Sequence, residues 1–564
     1  MPPEQWRCTM VHGLMCGLPG SLAAIGDALG LPEDKLKDKQ GKALIDYFCK
    51  PCKPTKANGG RVRNLPAHDP DKWRLFIEYN RQDVVTEMEI ERRLDSIYKM
   101  PEREQILWQL DQQINDYGIR IDCGLVWSIT DYNEERTKEL QEEAKRITGL
   151  SNPNSLAQLK GWLQKQEPGV DFTTLRKDDL DELLQMGLND KVHRVLTIRQ
   201  ACGKTSTAKY AKMDAMVCSD GRIRGTLQFY GASRSGRWGG RGVQVHNLAR
   251  NSLPDLDLAR ELVADEDFDT LQTLFGETSF VFSELVRTAF IPSPGNKFVV
   301  SDFSAIEARV IAWVAGEEWV LDAFRNGEDI YCKTASMMYH VPVEKHGQNA
   351  ELRQRGKVAV LACGYGGGVN AMRAMDTTGT IPEEELQSVV DQWRSANPNI
   401  VKLWRSVELA AKTAIEDHKM HTIRRGISFA YRNYNLYITL PSGRSLVYFG
   451  AKLKDGKYGD QIVYKGLNQT TKKWEDTETY GGKLVENIVQ GIARDCLAEA
   501  MLRVADKGYQ IVMHVHDEMI VDAPAEDADP ALALINEMMG TEIEWAPGLP
   551  LKGDGYVCKF YKKD

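Results

Sequence analysis

Carboxylates at the ends of two apolar runs are the residues of this sequence best suited to chemistry. The first group lies in Tyr509 to Pro524, YQIVMHVHDEMIVDAP, where the runs Ile511–Val515 and Met519–Val521 flank His516, Asp517 and Glu518. That pattern predicts two short strands joined by a tight turn. The second lies in Lys297 to Ile306, KFVVSDFSAI, where the run Phe298, Val299, Val300 stops at Asp302. Adjacent carboxylates beside a core are costly unless a cation sits near them. An isolated Asp-Glu pair reads most simply as a solvated hairpin tip. Two strand ends carrying aspartates to one place read instead as a two-metal site.

A second constellation falls on a predicted helix. In Glu351 to Gly368, ELRQRGKVAVLACGYGGG, the residues Arg353, Lys357, Leu361 and Tyr365 recur every four positions. They form one slowly drifting stripe, and the glycines from Gly364 on end the helix. Two cations one turn apart with an aromatic ring beyond them suit a nucleoside triphosphate: the cations hold phosphates and the ring packs near base or sugar. A charged stripe is often only a solvated face. Here Val358 to Ala362 is apolar all round, so the cations project from a helix built for burial.

The elements that must position these groups are those of a large globular chain. Its 564 residues, 42% hydrophobic and 27% charged, bound three to four domain-sized units with a sizeable core. No apolar run approaches the roughly 18 residues of a membrane span. The start MPPEQWRCTM shows no export signal, and the 11 scattered cysteines suit a reducing cytoplasm. Cys49 and Cys52 have metal-like spacing but no second pair, so a structural role is expected. The net charge is −8, yet Arg199 to Arg250 carries ten basic residues against two acids, Asp214 and Asp220. That stripe includes Lys204, Lys209, Arg237 and Arg250 and reads as a phosphate-tracking surface. Long helices are expected over 71–100, from Leu107 to a stop at Tyr117-Gly118, from Ser155 through Trp162, and over 190–213. Strands and Gly/Arg turns are expected over 216–303, and helix again over 304–420.

Together these segments resemble family A DNA polymerases, the bacterial polymerase I class. Asp302-Phe303-Ser304-Ala305-Ile306-Glu307-Ala308-Arg309 resembles the family's motif A, Arg353 to Gly366 its motif B, and His516-Asp517-Glu518 its motif C, in the family's order. Weaker similarity over residues 104–564 includes Ser235-Gly236-Arg237, Asn247 and Glu486 to Gln490, with the character of bacteriophage members. The resemblance implies an α+β right hand with an antiparallel palm and helical fingers and thumb. It divides the chain into 1–100, a truncated 3′–5′ exonuclease-like remnant; 101–215, mainly thumb; 216–303, first part of the palm; 304–485, fingers with insertions; and 486–564, second part of the palm.

By motif, Asp302 and Asp517 would bind two Mg2+ ions, with Mn2+ a possible substitute, and Glu518 would lie beside them. Arg353 and Lys357 would grip phosphates, with Lys357 donating a proton to pyrophosphate. Glu307, with Tyr365, would exclude a ribose 2′-hydroxyl. His516 would contact the primer end, and Arg237 and Gln490 would probe the minor groove there. Asn247, Arg250, Lys204 and Lys209 complete the expected DNA contacts. The implied partners are primer-template DNA and deoxynucleoside triphosphates, with accessory replication proteins possible, and a monomer in the cytoplasm is expected. Two residues depart from the family pattern. Tyr331 stands where many members have a phosphate-binding His, and Leu361 stands where Phe or Tyr is usual, which implies poor use of dideoxynucleotides.

Tyr79-Asn80-Arg81-Gln82-Asp83 fits the last exonuclease motif, YxxxD, whereas the earlier acidic motifs are missing. One carboxylate cannot hold two metals, so no self-contained proofreading is expected, although a separate chain could supply the missing half. A single-subunit RNA polymerase is the competing enzyme reading. A non-catalytic DNA-binding replication protein is the reading from another class.

Overall fold

The computed structural model describes residues 2–36, 41–203, 208–377, 379–456, 459–468, 471 and 473–563. At its centre is a four-stranded antiparallel sheet in the order Ile511–Val515, Glu518–Pro524, Asn296–Phe303, Gly553–Cys558. The two inner strands read as continuous apolar runs because both sheet faces are covered. Helix Ala528–Gly540 packs on the Asn296–Phe303 and Gly553–Cys558 strands, while helices Glu102–Tyr117 and Gly481–Asp506 pack on the far edge. Phe298, Val299, Val300, Ile520 and Val521 are all fully buried.

The expected hairpin forms, with two differences. The turn is shorter than expected, since Glu518 is already the first residue of its strand. Asp302 does not end its run but is the penultimate residue of its strand. Both differences follow from pairing: Glu518 lies opposite Asp302 in the antiparallel register, so ladder hydrogen bonds extend each strand to its acid.

The helix Leu352–Cys363 forms where the four-residue stripe predicts it and lies against helix Ile330–Tyr339. Gly356 permits this approach. A Cβ built there would stand 2.3 Å from the Tyr331 carbonyl oxygen, well inside van der Waals contact. The long helices Pro70–Ile97 and Glu102–Tyr117 also form, the second ending at Gly118, whose φ is +71°.

Two expectations fail. The single helix over 190–213 is two, Asp190–Cys202 and Ala208–Met216, the first ending where Gly203 closes its last turn. Lys204, in the interval, lies outside the described residues. The strand-and-turn texture over 216–303 is interrupted by helices Leu256–Ala264, Phe268–Phe275 and Thr278–Leu285. The side chains of Asp255 and Asp267 cap the first two by accepting from Leu258 and Thr270 backbone N–H groups, a start signal that local strand texture hid. Beyond the helical stretch, residues 421–479 form two further antiparallel sheets, of four and three strands.

A buried ion network locks helix Glu102–Tyr117 to the long helix Gly481–Asp506. Arg494 donates to both oxygens of Glu104, at 2.5 and 2.7 Å, and Asp495 accepts from Arg444 at 2.8 Å. All four residues are buried. The described residues from 2 to 97 contain helices and no strand. None of the described helices is long and apolar enough to cross a membrane.

Candidate active site

Asp302 and Asp517 both sit near where regular structure ends. Three residues after Asp302, Ala305 is held at φ +51° at the start of helix Ile306–Ala315. Asp517 follows His516, held at φ +58° in the hairpin turn. A non-glycine residue in the left-handed region is uncommon and carries strain. The two residues in that conformation at this site flank the two aspartates.

The two strand ends meet. The Phe303 N–H donates to the Asp517 carbonyl at 3.1 Å, and Glu518 pairs with Asp302 across the ladder. Burial, then the neighbouring Asp302, pushes the Asp517 carboxyl up to about 7. Burial also raises Glu518, against the pull of Lys563. Two carboxylates repelling in a poorly solvated place call for positive charge.

The chain supplies one cation itself. The Lys563 ammonium donates to Asp302 Oδ2 and to Glu518 Oε2, each at 2.8 Å. Burial works against its charge, but Glu518 and Asp302 outweigh it and hold the ammonium above its ordinary value. Tyr561 donates to the other Glu518 oxygen at 2.6 Å and accepts from Arg287 at 2.6 Å. Among the described residues, Asp302 Oδ1 is buried with no hydrogen-bond partner. That orphaned oxygen, beside an Asp517 on which burial and Asp302 outweigh Lys563 and Arg237, fits a divalent cation.

Beside the carboxylates opens a cavity of about 660 Å³. Its walls bring together eight of the residues singled out by sequence: Arg237, Arg250, Glu307, Tyr331, Leu361, Tyr365, His516 and Asp517. Glu307 is the hub of one wall. One of its oxygens accepts from Arg237 at 2.5 Å and the other from the Tyr365 hydroxyl at 2.5 Å. Burial, then Glu307, raises the Tyr365 hydroxyl far above its ordinary value, so it remains a donor.

Arg353 and Lys357 stand on the helix behind Leu361. Arg353 gives Nε and Nη2 to Asp329 Oδ2, at 3.0 and 2.8 Å, and lies 5.3 Å from the Tyr331 ring centroid. Asp329 also caps helix Ile330–Tyr339 by accepting from Tyr331 and Cys332 N–H groups. Among the described residues, Arg353 makes hydrogen bonds to Asp329 through Nε and Nη2 and none is seen through Nη1. Lys357 is half-buried and has no carboxylate partner among the described residues.

The remaining candidates divide. His516 pairs through Nε2 with the His246 carbonyl at 3.0 Å, which brings exposed Asn247 beside the turn. Burial, then Arg237, lowers the His516 ring, so it is neutral at pH 7. Gln490 donates to Glu486, a cavity residue one turn away, at 3.4 Å. Lys209 spends its ammonium on the Val243 and Gln244 carbonyls, at 2.7 and 3.4 Å, so it fixes the segment leading to Asn247.

Sequence reasoning missed Asp329, Lys563, Tyr561, Arg287 and Asp554, which lies opposite Asp302 on the other ladder. The only local signal for Lys563 is the Tyr561-Lys562-Lys563 run just before Asp564. The one group of three His, Cys, Asp or Glu among the described residues whose ligand atoms all lie within 4.8 Å of one another is elsewhere: His12, Glu91 and Asp95. Asp83 belongs to no such group among the described residues.

Paired aspartates on adjoining strand ends, beside a cavity walled in part by Leu361 of the helix that carries Arg353 and Lys357, suit a nucleotidyltransferase of the polymerase kind. The family model for DNA polymerase family A matches residues 127–562. The DNA polymerase of Bacillus phage SP02 is 50% identical over the whole of this chain and 86% of its own length. A thermostable DNA polymerase I of Thermus thermophilus is 24% identical over 88% of this chain, which spans about half, 52%, of that enzyme. The fold also matches the polymerase domain of Pol1 from M. smegmatis, solved with DNA primer-template and dNTP, with a TM-score of 0.54. The match covers 96% of this chain and 82% of that one at 18% identity. The chain belongs to DNA polymerase family A. It is a DNA-directed DNA polymerase, so neither the RNA polymerase nor the non-catalytic reading stands.

Proposed function

We propose that this chain extends a primer on a DNA template with deoxynucleotides, using Asp302 and Asp517 to hold two Mg2+ ions, for which Mn2+ can substitute. When bound, those ions would lower the pKa of the primer 3′-hydroxyl and neutralise charge on the leaving pyrophosphate. The observation that carries the reading is the strand pairing that sets Asp302 beside Asp517 and Glu518, with Asp517 lining the cavity. The buried, unpartnered Asp302 Oδ1 supports the ion assignment.

The chain's own residues supply the positioning that phosphoryl transfer needs. Arg353 holds a phosphate oxygen through Nη1, aimed by Asp329. Lys357 holds a second phosphate and gives a proton to pyrophosphate as it leaves. Tyr331 adds one neutral donor where a charged histidine would be stronger. Glu307, clamped by Arg237 and Tyr365, fills the space a ribose 2′-hydroxyl would need. Leu361 offers no hydrogen bond to a 3′-hydroxyl.

Around the reacting atoms, His516 touches the primer end, and Arg237 and Gln490 read minor-groove acceptors shared by correct pairs. Arg250, Asn247 and, through its loop, Lys209 track the backbone. The thumb, palm and fingers divide at the boundaries 101–215, 216–303, 304–485 and 486–564. Residues 1–100 are an exonuclease-like remnant whose one acidic motif, Tyr79 to Asp83, supplies a single carboxylate, too few to hold two metals for proofreading. The setting is phage DNA replication in a host cytoplasm, by a monomer open to accessory proteins.

The test is extension of a labelled primer by the wild type, Asp302→Ala and Asp517→Ala. Loss of at least about 10³-fold in either variant, with DNA affinity retained, supports the reading. Near-wild-type extension by either variant overturns it.

A further inference from the structure

The carboxylates at this site are more numerous than the two that the reaction needs. Glu518 and Asp554 both lie directly opposite Asp302, one on each neighbouring strand. Residues directly opposed in antiparallel strands share a face, and like charges there destabilise the sheet. Glu518, 1% exposed, has little access to water. Among the described residues, the cation bonded to both Asp302 and Glu518 is Lys563.

Lys563 is delivered by a fixed backbone. Its own N–H donates to Asn251 at 3.1 Å, and the Tyr561 N–H donates to the Phe290 carbonyl at 2.9 Å. Tyr561 is fully buried and held between Arg287 and Glu518. The ammonium therefore rests on the carboxylates by construction of the fold.

We infer that Lys563 is the resting counter-ion of this carboxylate row: its ammonium holds Asp302 and Glu518 together in the DNA-free protein and competes with the divalent ion for Asp302. The inference rests on the reading that Asp302 is a metal ligand. A divalent ion takes a carboxylate oxygen at about 2.0–2.1 Å in strict geometry. The ammonium already stands 2.8 Å from Oδ2. Two cations on one carboxylate repel each other. An ion arriving on the free Oδ1 meets the ammonium on Oδ2 of the same carboxylate, and its binding is weakened by that repulsion. The flexible four-carbon stem of a lysine lets the ammonium swing away while the backbone stays pinned. Lys563 thus sets the divalent-ion concentration at which the free enzyme becomes loaded.

The experiment measures Mn2+ binding to the DNA-free full chain by the electron paramagnetic resonance signal of free Mn2+. It compares the wild type with Lys563→Met, Lys563→Arg and Asp302→Ala. The expected result is Mn2+ affinity at least about tenfold tighter in K563M and close to wild type in K563R. Thermal melting in EDTA should fall for K563M and be restored by Mn2+. Equal or weaker Mn2+ affinity in folded K563M overturns the counter-ion role, since the ammonium would then coexist with the ion or support it. Lys563→Gln gives the same comparison if the Met variant does not fold. If D302A binds Mn2+ as well as the wild type does, the ligand reading itself fails and takes the inference with it. Unchanged K563M affinity alongside a weakened D302A removes the inference alone.

Discussion

Substituting Gly356 by Ala probes how closely the triphosphate-gripping helix must sit. The added Cβ would stand 2.3 Å from the Tyr331 carbonyl oxygen and 3.1 Å from the Ala335 Cβ. The obstacle is main chain on a neighbouring helix, so no rotamer relieves it. Restoring ordinary contact at about 3.4 Å requires helix Leu352–Cys363 to retreat by about 1 Å. That retreat carries Arg353 away from Asp329 and shifts Lys357 with it. A misplacement of about 1 Å costs a reaction that depends on positioning about 10²-fold, and overpacking costs about 1–3 kcal/mol of stability. The assay is single-nucleotide primer extension, with DNA affinity measured separately. G356A should lower kcat/KM for the incoming nucleotide about 10²-fold while DNA binding holds. Gly161→Ala, at a helical glycine with nothing within 4 Å, should leave both unchanged. A kcat/KM for G356A within about threefold of wild type would refute the reasoning.

Three other outcomes are expected. Glu104→Ala removes the bidentate partner of buried Arg494 and leaves it only the longer contact to Asp495 at 3.2 Å, and should cost about 2–3 kcal/mol in denaturant unfolding; a loss below about 1 kcal/mol would contradict this. Burial pushes the Asp111 carboxyl up to about 7, against about 4 in an unfolded chain. The folded state then keeps a proton that the unfolded chain has lost, a contribution complete below about pH 4 and gone once pH has risen past about 7. Wild-type melting temperature should therefore fall across that window relative to Asp111→Asn, and parallel profiles would count against it. Leu361→Tyr adds a hydroxyl at the cavity wall and should improve dideoxynucleotide use at least about tenfold, about 1.4 kcal/mol, as read by chain termination in primer extension. Efficient termination by the wild type would show that Leu361 does not discriminate.

The site was largely legible because its chemistry follows local rules. A carboxylate after an apolar run, or a cation every fourth residue, is visible in a window of a dozen positions. The hairpin around Asp517 and the helix carrying Arg353 and Lys357 appeared on those grounds. Partners brought in from afar were not legible. Asp329 meets Arg353 across 24 positions, and Lys563 meets Asp302 across 261. No periodicity records such pairs, because only strand register and helix packing create them. The helices Leu256–Ala264 and Phe268–Phe275 were hidden by their shortness and by the strand texture around them, although each carries an Asp cap. The stripe of basic residues overstated free charge, since Lys209 is bound to the chain's own carbonyls and Arg224 to Asp220.

The most direct measurement is the anomalous scattering of Mn2+ in crystals of the chain with a primer-template and an unreactive deoxynucleotide analogue. Peaks between Asp302 and Asp517, close to the triphosphate, are the predicted result. Peaks confined to the His12, Glu91 and Asp95 cluster, with none between the two aspartates, would contradict the account.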